Sequence, residues 1–80
     1  MSRLVHRPVE IQHWHDGEPI RFQDGDVVHN VSEVVDRWME MGNWWEGEGP
    51  RTILRVLTDS QFVFDLECVG QQWYIYRIWD

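Results

Sequence analysis

Three short runs in the C-terminal half of the chain, each followed by a signal for reversal, constrain its fold more than any other feature. Ile53, Leu54, Val56 and Leu57 fill the first run, between Thr52 and Thr58. In the second, Phe62, Phe64, Leu66 and Cys68 alternate with Val63, Asp65 and Glu67. In the third, Trp73, Ile75, Arg77 and Trp79 alternate with Tyr74, Tyr76 and Ile78. A period of two marks a strand with one face buried. The turns expected at Asp59-Ser60 and Gly70-Gln71 are too short for a crossover connection, so the three strands form an antiparallel meander.

The N-terminal half repeats this style. Val5, Arg7, Val9, Ile11 and His13 alternate with His6, Pro8, Glu10, Gln12 and Trp14. Pro8 removes one donor, which places that strand at an edge or gives it a bulge. Asp16-Gly17 is a strong hairpin signal, Ile20 and Phe22 form a short second strand, and Asp24-Gly25 predicts the next turn. Residues 31–41 satisfy two periods. Val31, Val34, Val35 and Trp38 have helical spacing, with Gly42 as a stop, so a short helix around 32–41 is one reading. A long bent strand broken by a bulge at the Val34-Val35 pair is the other. The resulting expectation is a mostly-β single domain over residues 1–80. It is a small antiparallel sheet or an open SH3-like or OB-like barrel of five to six strands.

Composition supports a dense small core. A chain of 80 residues buries only about 60% of its unfolded surface, so each buried side chain must be large. Aromatic residues make up 14% of the chain, six of them Trp. Ala and Lys are absent and all seven basic residues are Arg, which removes common helix formers and favours bidentate and stacked contacts. The formal net charge of −7 argues against general nucleic-acid binding, whose affinity comes mainly from phosphate neutralisation. The single cysteine, the lack of a signal-like apolar run in MSRLVHRPVE, and the lack of any stretch near ~20 apolar residues predict a cytoplasmic protein with no membrane association.

The catalytic motifs are missing. There is no nucleophile elbow, Gly-rich phosphate loop, HExxH or paired-carboxylate arrangement, so no enzymatic activity and no cofactor are expected. His13 and His15 share one side of a strand and are capable of ligating zinc, but no further ligand stands at a recognisable spacing; two exposed histidines at a hairpin end are the simpler reading. Cys68 falls in phase with Phe62, Phe64 and Leu66 and reads as a small core residue rather than a reactive thiol. Trp44-Trp45 is the sharpest local feature, since adjacent strand residues point to opposite faces and one ring can anchor the core while the other is exposed. Arg51, Arg55 and Arg77 fall on or beside the meander. They form either a small basic face or ion pairs with acids such as Asp65 and Glu67.

The order Val31, Val34, Arg37, Trp38, Glu40, Trp44, Trp45, followed by an Arg-containing strand, FVFDLE and WYIYRIWD, resembles a family of small bacterial domains of unknown function. Similar segments close the ImuB proteins, which look like inactive relatives of Y-family translesion polymerases within an SOS-induced mutasome. The resemblance spans roughly residues 9–80. It implies a stand-alone accessory domain linked to DNA repair, without enzymatic activity. The chain departs from that pattern at Thr52-Ile53-Leu54-Arg55, where an aromatic pair is commoner.

A protein-interaction module is therefore the leading expectation, with a partner in a DNA-repair polymerase complex. The expected binding residues are Trp44, Trp45, Arg37, Arg55, Tyr74, Tyr76 and Arg77, because Trp, Tyr and Arg dominate interface hot spots. The alternative is a weak single-stranded nucleic-acid binder that stacks bases on the same rings. A homodimer paired through an open sheet edge is a further expectation.

Overall fold

A computed structural model describes residues 2–41 and 49–79. Trp44 and Trp45 lie outside the described residues. Six strands follow one another: β1 (Ser2–His15), β2 (Glu18–Asp24), β3 (Val27–Met41), β4 (Pro50–Thr58), β5 (Val63–Val69) and β6 (Gln72–Trp79). Each pairs antiparallel with the next, and β1 returns to pair with β6, closing a barrel. The mostly-β, small-barrel expectation holds, with the upper strand count and a closed rim in place of an open one. Every strand has two neighbours, so the edge-to-edge route to a dimer has no free strand among the described residues.

Closure depends on two long, bent strands. β1 pairs through its first half with β6 and through its second half with β2. β3 likewise pairs first with β2 and then with β4. Each bend carries bulges, which add curvature and twist where a sheet must turn a corner. In β1 the pairing slips between Leu4 and Arg7, and His6 there takes a φ of 44°. Pro8 follows this bulge opposite Tyr74, consistent with a strand expected to carry one.

The short helix around 32–41 is not present; these residues lie in β3. The register slips between Val31 and Glu33 and again between Val34 and Asp36. Each slip advances the inward phase by one residue, so Val31 and Val34 both reach the core three residues apart. Two bulges in a strand thus imitate the spacing of a helix.

The turns follow backbone chemistry. Asp16 and Gly17 both take positive φ, 50° and 79°, as a type I′ hairpin requires. The next turn falls one residue later than Asp24-Gly25: Asp24 pairs with Val27, leaving Gly25-Asp26 as the loop. Between β4 and β5 the connection is longer than Asp59-Ser60. Gln61 takes a φ of 67°, its N–H donates to the Thr58 carbonyl, and Phe62 stays outside the strand.

The interior is lined by Phe22, Leu54, Val56, Phe64, Leu66, Ile75 and Ile78, with Val5, Val9, Ile11, Val31, Val34 and Trp73 packed around them. Phe22 and Phe64 meet edge to face at 5.6 Å. His29 lies against both, 5.1 Å from Phe22 and 4.8 Å from Phe64. Burial pushes its imidazole below the ordinary range, with Asp24 opposing that shift and Arg7 adding to it. The unfolded chain therefore binds this proton more readily than the folded one. Stability is full above the unfolded value of about 6.5 and declines as pH falls toward the lower folded value. Urea unfolding between about pH 7 and pH 5 is expected to show this loss, and a His29→Leu variant to lack its share of the slope. An unchanged slope in the variant would assign the effect to other groups.

Candidate functional site

The outer face of β4–β6 is unlike an ordinary solvated sheet surface. Register places Asp36, Arg55, Asp65 and Arg77 side by side across four strands, alternating in charge. A second row runs Trp38, Ile53, Glu67 and Tyr74. Asp65 and Glu67 are only 2% and 1% exposed although they point away from the barrel interior. A layer of aromatic and guanidinium groups covers them.

The layer is built from stacked, bonded pairs. Arg55 donates from Nε and Nη2 to both carboxylate oxygens of Asp65, at 2.9 and 3.3 Å, and Trp79 Nε1 donates to Asp65 Oδ2 at 3.0 Å. The Arg55 guanidinium lies between two indoles, 5.0 Å from the Trp38 ring and 4.7 Å from that of Trp79. Its pKa is raised, first by the hydrogen bond to Asp65 and then, against the opposing effect of burial, by the charges of Asp65 and Asp36. Arg51 donates to Glu67 at 2.9 Å and to Glu40 at 3.3 Å, and lies 5.3 Å from the Tyr76 ring. His6 Nε2 is 3.1 Å from the other Glu67 oxygen, and its ring stacks on Tyr74 at 4.9 Å. Trp38 Nε1 reaches Glu40 at 3.2 Å.

Arg77 differs from its neighbours. It lies over Tyr76 at 5.9 Å and Trp79 at 5.3 Å, yet among the described residues it forms no ion pair. Its Nε is buried without a hydrogen-bond partner there, a feature it shares with Arg51. Strict alternation would set Arg77 and Trp79 on the same face as Ile75. A slip between Asp65 and Leu66 makes Tyr76 an extra residue, so Tyr76, Arg77 and Trp79 all face outward while Ile75 and Ile78 face in.

The expected binding residues divide accordingly. Arg55, Tyr74, Tyr76 and Arg77 come together on this face. Arg37 does not join them. It pairs with Leu54, an inward position, and its guanidinium meets Glu18 at one mouth of the barrel. Arg51 and Arg55 show the ion-paired alternative rather than an open basic face. Trp38, Trp79, Glu40 and His6 complete the layer without having been singled out, because their membership depends on register. His13 and His15 are exposed near the end of β1, with His15 Nε2 3.3 Å from the exposed Asp16 carboxylate. Among the described residues no three His, Cys, Asp or Glu side chains gather as a metal site would need. Cys68 pairs with Trp73 and Thr52, and burial pushes its thiol up, away from the reactive thiolate.

Comparison with protein-family models, with curated proteins and with solved structures returns no match.

Proposed function

We propose that the chain is a non-catalytic protein-interaction module whose contact surface is the outer face of β4–β6. One observation carries this reading. Arg77 is held over two rings and has no carboxylate partner among the described residues, while Arg51 and Arg55 in the same layer each have one. A preorganised Arg-aromatic layer on a closed barrel loses little side-chain freedom on binding, which is what an interface anchor needs. The likeness of its segments to ImuB tails makes a translesion polymerase complex the first partner to test. The same geometry counts against single-stranded nucleic acid. Arg51 and Arg55 are already bonded to buried carboxylates, so an incoming phosphate would meet Glu67 and Asp65 beside them.

The test is direct binding of the labelled chain to purified mutasome proteins, and separately to a single-stranded oligonucleotide at low salt. The reading expects protein binding that Arg77→Ala weakens about tenfold or more, the scale of an interface hot spot. The thermal midpoint should shift little, because Arg77 forms no ion pair among the described residues. Oligonucleotide binding that falls steeply with salt, without protein binding, would replace this reading with the nucleic-acid one.

A further inference from the structure

The barrel is not filled to both ends. At the end carrying the Asp16-Gly17 turn, its interior opens into a cavity of about 540 Å³. Inward positions of four consecutive strands line it: Met39, Thr52 and Leu54, Cys68, and Trp73. Asp16, Glu18 and Arg37 reach it from the rim. The volume falls within the roughly 300–1,000 Å³ of small-molecule sites, and the mouth of a barrel is a recurrent place for one. Trp73 is held in place by Trp14, whose ring meets it edge-on at 5.7 Å. Met39 lies 66% exposed at this opening, an apolar side chain with little to cover it.

Charge selects the kind of ligand. The rim holds two carboxylates and one guanidinium, and Glu18 already engages that guanidinium. Burial keeps the Cys68 thiol protonated, so it contributes no charge. The mouth is therefore net negative, on a chain whose formal charge is −7. Such a mouth repels anions and concentrates cations. The face of an indole attracts a cation as well.

We propose that this mouth binds a small organic cation with an apolar body, of the alkyl- or arylammonium class. Trp73, Leu54 and Met39 surround the body, and Glu18 and Asp16 face the charge. The site adjoins the outer-face docking surface at Trp38, which lines the cavity and also stacks on Arg55. Arg77 does not line the cavity, so the two readings are tested by different variants.

The probe is benzyltrimethylammonium, compared with phenylacetate as the anion and benzyl alcohol as the neutral analogue. Two readouts are followed: the indole N–H resonance of Trp73, and the rate at which iodoacetamide alkylates Cys68. The cation is expected to shift the resonance, slow alkylation, and bind about tenfold more tightly than either analogue, the order of one charge-assisted contact. Glu18→Gln should abolish the preference, because it removes one carboxylate and leaves Asp16 balanced by the released Arg37. Thr52→Phe, which fills the cavity without altering charge, should abolish binding of all three. Arg77→Ala should leave cation binding unchanged. Equal or tighter binding of phenylacetate to the unmodified chain would overturn the proposal. So would an unmoved Trp73 resonance with unprotected Cys68.

Discussion

Phe22→Ala is expected to remove a large fraction of the chain's folding stability. Phe22 is 0% exposed and comes from the short strand β2. It meets Phe64 edge to face and packs against His29, which touches both rings. Truncating a buried Phe costs about 3–5 kcal/mol, through lost transfer energy and the cavity left behind. A domain of this length has about 4–12 kcal/mol in total at the usual stability per residue. The loss is large because a six-stranded barrel has a narrow interior, and its closed hydrogen-bonded wall cannot collapse to refill the space. Far-UV circular dichroism and urea unfolding measure it. Phe22→Leu, which keeps most of the volume, should fold with a smaller loss. A fully folded Phe22→Ala variant with an unchanged midpoint would show that β2 does not seal the core as described.

Asp65→Ala is expected to be the most damaging change on the outer face, at about 3 kcal/mol. The carboxylate accepts two bonds from Arg55 and one from Trp79. Removing it leaves a partly covered guanidinium and an indole N–H without their acceptor. Asp36, the other cross-strand neighbour of Arg55, moderates the penalty from its exposed position. The penalty comes from the stranded partner rather than from the pair as such. The double variant Asp65→Leu with Arg55→Met should therefore recover most of the stability, to within about 1 kcal/mol of the parent, as replacement of buried ion pairs by apolar groups often does. Chemical denaturation of the parent, both singles and the double completes the cycle. If Asp65→Ala costs less than about 1 kcal/mol, the pair behaves as an ordinary exposed one, and the layer is not a rigid unit. The same double variant should lose partner binding while folded, because the indoles would no longer be held around a guanidinium.

The meander from Thr52 to Trp79 was legible from residue order, because alternation and short turns are local and a short turn permits only an antiparallel neighbour. The same holds for Asp16-Gly17, where the residue types demand positive φ. The interior positions Phe64 and Leu66 of β5 followed from period alone, and the pairing of the meander's arginines with Asp65 and Glu67 was one of two readings of their charges. Where the reading slipped, a bulge or a left-handed residue lay beneath it. Gln61 lengthened one loop, Gly25-Asp26 displaced another, and two slips in β3 gave a strand the spacing of a helix.

Closure is the physical reason for the difference. A bulge answers a demand that arises only when β1 must meet β6 at the far side of the barrel, and no window of neighbouring residues contains that demand. The bulge at Tyr76 moved Arg77 and Trp79 to the outer face, and the register of β3 sent Arg37 inward, to the mouth. Residue chemistry thus decided that Arg and aromatic side chains would cover this small β domain. Cross-strand register decided which of them would meet, because most partners in the layer lie on different strands and each slip of one residue exchanges the two faces.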